Sequence, residues 1–439
     1  MSYLTRTGVS SSNGGQHNTV SFWFKRSNDL GNTADYIFGA EVDGNNYTWV
    51  RTENQRLEYI SATGGTVKFK LLTTAVFRDP SAWYHVVLRS STTSGTSSNR
   101  IRMYINGSQV TEFDTATYPD QNYFSYLCDN NTNMYVGRSS NPFSGNLADV
   151  NLLDGEDQAA SKFGETDSTT GIWKPKPDFT GINYGNNGFR LQFENSGNMG
   201  LDTSGEGHNF TNSSVPTNAQ STDTPSNSFC TWNRVAANNN LGTVYDGGLR
   251  IEEASSNQWR SILGTLSVSK GKWYWEFKVG PTGDNQYFVM GATRTDVAYN
   301  SYVATNNQGP FRAGGGYGMQ RDGTKINNNS SAAYGSAMSS NSIIGCKLDL
   351  DNGTIGFIQG SDLGNAYTGL TTGDDIFYTP FASIGQADNG EDARLEINTG
   401  NPVFTDTANN ADANGLGKFV NSVPSGYYAL CTKNIQSLG

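Results

Sequence analysis

The sequence predicts an all-β protein: two antiparallel β-sandwiches in tandem, joined by an ordered connector. Three observations carry that expectation. Aromatic residues make up 12% of the chain and charged residues only 16%, a balance unlike that of solvated disordered chains. The 51 glycines, with abundant Asn and Ser, supply the positive-φ positions that many tight turns require. Short apolar or alternating runs recur between those turn residues, and helical periodicity is nearly absent.

The strand signals follow in order. Val20–Arg26 and Trp83–Arg89 are rich in β-formers. Ile101–Ile105 alternates and meets Asn106-Gly107, a strong hairpin signal, followed by Gln109-Val110. Met134–Gly137 and Leu147–Leu153 complete a first sandwich over residues 1–158. Asp157–Phe163 has room for one helical turn. Residues 159–228 change character. Pro175, Pro177, Pro216 and Pro225 punctuate a Thr/Asn/Ser/Gly-rich stretch. Within it Phe189, Leu191 and Phe193 recur at period two, so the segment 188–194 is expected to lend a strand to the first domain.

A second sandwich is expected over residues 229–439. Its strands are Lys272–Val279, Tyr287–Ala292, Ser342–Asp349, Gly353–Ile358, Phe377–Ile384 and Arg394–Ile397, with a hairpin turn at Asp351–Gly353. Phe229-Cys-Thr-Trp-Asn233 near its start is echoed by Leu430-Cys-Thr-Lys-Asn434 at its end. The echo predicts that the two pieces lie together and close the domain. It also brings Cys230 and Cys431 forward as a pair that either bonds or stays reduced.

Composition also excludes. Thirty Lys and Arg against 40 Asp and Glu leave a formal charge of −10, with no basic run to attract nucleic acid or an anionic membrane. No apolar run approaches the roughly 18–20 residues of a spanning helix, so no membrane insertion is expected. The start, MSYLTRTGVS, has no apolar signal-peptide core, which predicts synthesis in the cytoplasm of the producing cell. Four widely spaced cysteines without CxxC spacing argue against a zinc ribbon and a disulfide framework.

These residues carry a family resemblance. Trp83-Tyr-His-Val-Val87, Arg102-Met-Tyr-Ile-Asn-Gly107, Tyr135-Val-Gly-Arg138 and Phe143–Val150 resemble successive steps of a laminin-G, concanavalin A-like jelly roll. Gly271–Glu276, Ile344–Ile355, Tyr367–Leu370 and Leu395–Asn398 resemble a SPRY domain, in the right order. With the joining segments Gly164–Pro175, Leu201–Phe210 and Asp223–Thr231, the whole layout is similar to tail-fibre-like or lectin-like structural proteins of tailed bacteriophages. That resemblance implies an outward-facing virion protein, assembled with other virion subunits and as a homo-oligomer, with a trimer favoured. The lack of a shaft or anchoring pattern favours a compact head, appendage or decoration subunit.

Concanavalin A-like folds also house glycoside hydrolases, which need two carboxylates about 5–5.5 Å apart for retention. The family's enzymes use an ExDxxE strand. Here Glu41-Val-Asp43 ends in Asn46 and Glu112-Phe-Asp114 ends in Thr117, so the second Glu is missing. No HExxH or GxSxG occurs, and Ala313–Gly318 lacks the Lys-Ser/Thr of a phosphate loop. His85, in a strand, reads as a structural side chain bonding a neighbouring backbone. No enzyme activity is expected. Laminin-G-like relatives often bind Ca²⁺ through loop oxygens, and Asp43, Asn45 and Asp129 are the candidate ligands here. The same Asx residues are ordinary turn formers. For a host-surface glycan, the candidates are the loop-borne aromatics and their neighbours: Tyr47 and Trp49 in the first domain, and Tyr299, Tyr302, Phe311 and Arg312 in the second. The alternative function is a capsid or tail decoration protein, in which such aromatics are buried between subunits.

Overall fold

Two compact units, Met1–Gln220 and Ser221–Gly439, divide the chain. The computed structural model describes all residues except 1–2, 9–14, 28–33, 131, 139, 217–218, 238–240, 242–243, 254–258, 281–285, 299–308, 388–392, 404–405 and 439. Strands dominate both units, as the composition predicts.

The first unit opens with β1 (Tyr3–Thr7), β2 (His17–Arg26), β3 (Asp35–Asp43), β4 (Asn46–Glu53), β5 (Arg56–Thr63) and β6 (Thr66–Val76). It continues with β7 (Tyr84–Ser91), β8 (Ile101–Ile105), β9 (Ser108–Gln109), β10 (Phe113–Thr117), β11 (Asn133–Val136) and β12 (Gly145–Asp154). Four short strands follow: β13 (Gly164–Thr166), β14 (Trp173–Pro175), β15 (Phe189–Leu191) and β16 (Thr211–Ser213). An eight-stranded sheet has the order β10-β6-β5-β4-β3-β11-β1-β16, and a six-stranded sheet the order β15-β12-β2-β7-β8-β9. Alternate residues of the two sheets, among them Phe22, Phe24, Phe38, Val50, Tyr59, Leu71, Val86 and Leu88, interleave as one core.

The connector is part of this unit. β15 pairs with β12 through Val150↔Leu191 and Leu152↔Phe189, and β16 pairs with β1. Arg6 reaches from β1 to lie against the touching rings of Phe189 and Phe210 and donates to the Asn187 carbonyl at 2.6 Å. The boundary between the units therefore falls at Gln220/Ser221, eight residues before the sequence boundary at 228/229. The polar, Pro-rich connector is ordered against the first core through its few aromatics, among them Phe189 and Phe210.

The rest of the connector covers the outward face of the six-stranded sheet. Trp23 and His85 are register partners on β2 and β7, and their rings stack at 4.7 Å. Trp173, from the β13–β14 hairpin, lies edge to edge with His85, ring centres 6.0 Å apart, and donates its indole N–H to Nδ1 at 3.0 Å. An indole nitrogen only donates, so Nδ1 is the acceptor and Nε2 carries the proton, directed at Ser21 Oγ 2.9 Å away. His85 thus bonds two side chains and not a neighbouring backbone. Asp157 bridges Arg89 and Arg102, which face each other across β7 and β8.

The second unit begins with β17 (Trp232–Ala237), β18 (Val244–Tyr245), β19 (Arg250–Glu253), β20 (Arg260–Gly264), β21 (Lys272–Val279) and β22 (Gln286–Arg294). After α1 (Thr295–Ala298) come β23 (Gly316–Gln320), β24 (Thr324–Asn327), β25 (Ser330–Ala333), β26 (Ile343–Asp349) and β27 (Thr354–Gln359). It ends with β28 (Ser361–Thr368), β29 (Tyr378–Ala387), β30 (Ala393–Asn398), β31 (Tyr428–Ala429) and α2 (Thr432–Leu438). The sheets are β17-β20-β29-β22-β23-β24-β25 and β18-β19-β30-β21-β26-β27-β28. Trp232, Trp273, Trp275, Phe277, Met290 and Phe357 lie in the core between them.

The echoed segments meet. Phe229 bridges Cys431, and Cys230 N–H donates to the Leu430 carbonyl. All four cysteines are buried thiols outside any disulfide, so none closes the unit. The closure rests instead on a buried carboxylate. Glu276 accepts from Val420 N, Asn421 N, Asn421 Nδ2, Asn398 Nδ2 and Tyr274 OH, all within 2.7–3.1 Å. Burial pushes its acidity toward the neutral form, and the five donors oppose that shift.

Two predictions follow from these anchors. Glu276→Gln turns an acceptor toward five donors into an amide that also donates, so unit 2 should lose about 2–3 kcal/mol. A fall in thermal midpoint reads this, and an unchanged midpoint contradicts the anchor. Burial lowers the pKa of His85 from 6.5 to about 3. Between these values the unfolded chain binds the extra proton, so the neutral imidazole's contribution is full above pH 6.5 and is lost as pH falls toward 3. His85→Phe should therefore be destabilised at pH 7, where Trp173 N–H is orphaned, and its deficit against the parent should shrink on acidification in melts run from pH 7 to 3.

Candidate functional site

The outward face of the eight-stranded sheet carries a connected set of aromatic and charged side chains. Its position follows from strand alternation. Leu4, Phe38, Val50, Tyr59, Leu71 and Met134 point into the core, so their neighbours point outward. One cross-strand row runs Thr5, Tyr135, Gly39, Trp49, Ile60, Lys70 and Thr117. The row beside it, toward the β3–β4 turn, holds Asn133, Glu41, Tyr47 and Ala62. On the other side Tyr36 is partnered by Arg51 and Arg51 by Glu58.

Gly39 makes the arrangement possible. A Cβ there would lie 2.3 Å from the Trp49 ring, so only glycine lets that indole lie across β3. Trp49 stacks on Tyr135 at 5.9 Å and meets the edge of Tyr36 at 4.8 Å. Tyr3 continues the row against Tyr135. The Arg138 guanidinium sits 4.6 Å from the Tyr36 ring centre and pairs with Glu41 at 2.8 Å. Arg51 donates to Tyr36 OH at 2.9 Å and pairs with buried Glu58, which Lys70 also contacts. Tyr3, Tyr36, Tyr47 and Tyr135 are half-buried, as are Arg51, Arg138 and Glu41. Half-buried phenols beside neutralised Arg–Glu pairs offer C–H-binding ring surface and planar hydrogen-bonding groups without net charge.

The sequence candidates distribute unevenly over this geometry. Tyr47 lies on the face. Trp49 is on β4, not on a loop, and is only 1% exposed, so it packs the face from beneath. Phe311 is 2% exposed and packs edge-on to Trp259, so it is a core residue of unit 2, not a loop tip. In both cases an aromatic beside turn residues found a hydrophobic partner that only the fold supplies. Arg312 is half-buried beside it. Tyr299 and Tyr302 lie outside the described residues. Alternation along β11 points to Tyr135, but Tyr36 reaches the face only through a bulge between Tyr36 and Phe38, and Arg138 follows the positive-φ Gly137 beyond β11; their convergence also depends on β11 inserting between β3 and β1.

The cation candidates sit at one end of this sheet, since β11 pairs with β3 in a register that carries Asp43 and Asp129 the same way. Asp43 is fastened in its own turn. Its carboxylate accepts from Asn45 N–H and Asn46 Nδ2, which hold it below the usual carboxylate range. The Asp129 carbonyl accepts from Thr132. Among the described residues no three His, Cys, Asp or Glu side chains gather as a cluster. The hydrolase candidates are likewise occupied: Glu41 by Arg138, Asp43 by its turn and Asp114 by Arg56.

Comparison with known proteins agrees with both folds. Residues 2–160 match the concanavalin A-like lectin/glucanases superfamily, and residues 272–396 match the SPRY domain. The chain carries both domains.

The SPRY domain has curated relatives. ATP-dependent RNA helicase Ddx1 of Drosophila melanogaster is 32% identical over 130 residues, 29% of this chain. ATP-dependent RNA helicase DDX1 of Xenopus laevis is 29% identical over 121 residues, 27% of this chain. The chain spans only 16% and 15% of those proteins. Among solved structures, the SPRY domain of human HERC1 is 18% identical with a TM-score of 0.30, covering 38% of this chain and 96% of that one. The TRIM65 PSpry domain is 15% identical with a TM-score of 0.30, covering 38% and 89%.

In the concanavalin A-like domain the roles of Trp49 and Tyr47 are separable. Trp49→Ala should lower stability by about 3–5 kcal/mol, as loss of a large buried aromatic does. Tyr47→Ala should stay within about 1 kcal/mol of the parent. Denaturant unfolding checks both, and equal losses would remove the distinction between support and surface.

Proposed function

We propose that this protein is a non-enzymatic bacteriophage virion component, a tail-fibre or appendage head that binds a host-surface glycan. The observation that carries the binding reading is the neutral, tyrosine-rich face of the eight-stranded sheet. Of its four half-buried tyrosines, Tyr36 and Tyr135 pack on Trp49 and Tyr3 on Tyr135, while Arg138–Glu41 and Arg51–Glu58 supply paired planar groups. Such a face suits sugar rings, which present C–H surface on one side and hydroxyls at the edge. The presence of two binding-type β-sandwich domains supports a role in recognition or structure. The virion assignment rests on the resemblance of the joined layout to phage proteins. In that setting the protein is made in the host cytoplasm and assembles with other virion subunits. A homo-oligomer, with a trimer favoured, would turn weak sites into firm attachment by multivalency.

The structural alternative, a decoration or cement protein, draws on a different observation. Ile172, next to the turn of the β13–β14 hairpin, is 65% exposed, and Val42 and Val67 are also exposed near hairpin ends. Apolar tips of this kind suit contacts between subunits.

A glycan array probed with the full chain and with a Tyr47→Ala, Tyr135→Ala double variant tests the main reading. Selective binding lost in the folded variant is the expected result. Absence of any glycan binding, together with ordered Ile172 contacts in an assembled particle, would favour the structural alternative.

A further inference from the structure

We infer that the SPRY-containing unit holds a second binding site, a polar cleft for a neutral, hydroxyl-rich ring such as a sugar residue. It lies on the outward face of the seven-stranded sheet and encloses about 460 Å³, within the roughly 300–1,000 Å³ range of small-molecule sites. It shares a ligand class with the tyrosine face but none of its residues.

The cleft is built by an irregular edge strand. On β17, Asn233 opposes Leu263 while Ala237 opposes Ile262, so the chain between them bulges out beside a single step of β20. Asn233 Oδ1 holds the bulge by accepting from Val235 N–H and Ala236 N–H. Ala236 and Leu263 belong to the apolar cluster on this face and form the cleft's greasy part. Thr265 and Ser267, after β20, and Thr295 and Asp296, at the start of α1, add hydroxyls and one carboxylate.

Charge narrows the ligand. Among the described residues lining the cleft, Asp296 is the only charged one, and Arg294 grips it through Nε at 3.1 Å and Nη2 at 2.6 Å. The pair is neutral, so the cleft has no free cation for a phosphate or carboxylate. The Asp296 side chain is still 55% exposed, leaving lone pairs to accept from ligand hydroxyls. The Arg294 guanidinium also keeps its pKa below the ordinary value, so the acceptor persists in mild acid. The N–H of the lining residue Thr295 is held by the carbonyl of Phe377, just before β29, which fixes the start of α1 beside the cleft.

Saturation-transfer NMR of the full chain with glucose, galactose, mannose and N-acetylglucosamine tests this. At least one sugar should give transfer to its ring protons. Ser267→Trp, an exposed position at the cleft, should abolish that signal, and Asp296→Asn should weaken binding about tenfold, the loss of one charged hydrogen bond. The Tyr47→Ala, Tyr135→Ala variant should keep it. Near-UV circular dichroism confirms that each variant is folded. No transfer from any sugar, or transfer unchanged in both cleft variants, overturns the cleft. Transfer lost only in the tyrosine variant also overturns it, while leaving the tyrosine face standing. The reverse pattern, loss only in the cleft variants, leaves this inference standing and removes the other.

Discussion

A β-sheet has two faces, and a sandwich buries only one of them. That constraint organises both units. A chain with 16% charged residues and 12% aromatics has too few charges to solvate every outward face, so much of its apparently loose sequence folds back as cover. In the first unit the connector does this. Trp173 caps the Trp23–His85 stack, and Asp157 neutralises the facing Arg89 and Arg102. In the second, the segment after β30 folds over β21 and is fastened by Glu276.

Both covers depend on a buried polar group whose partners come from distant sequence. This makes them specific and also sensitive. A neutral His85 between two indoles has one workable tautomer, and a carboxylate with five donors has one workable seat. An apolar contact in either place would tolerate sliding, whereas these hydrogen bonds set a register. The four cysteines stay outside any disulfide. Burial pushes the Cys128, Cys346 and Cys431 thiols up, which leaves them protonated and inert.

The two proposed binding surfaces lie where cover stops. The outward face of the eight-stranded sheet keeps its tyrosines and paired charges half-buried, and the outward face of the seven-stranded sheet keeps a cleft at its bulged edge. On the proposed reading, recognition there would rest on ring surface and hydrogen-bond geometry rather than on long-range attraction.

Much of the fold was legible in the sequence. Period-two runs, turn residues and the Cys-Thr echo identified the two sandwiches, the connector's strand and the closure of the second unit, because these are local or pairwise signals. The site was legible only in part. Tyr47 was named and lies half-buried on the proposed face, but Trp49 and Phe311 were taken for surface residues, since a turn next to an aromatic says nothing about what packs on the ring. Tyr36, Tyr135 and Arg138 escaped because their meeting depends on strand order, which no local pattern encodes. By itself the sequence determined which residues form strands and that the sheets must hide aromatic faces. Tertiary structure decided which faces are hidden and by what, because burial is a property of non-local contacts and not of any one segment.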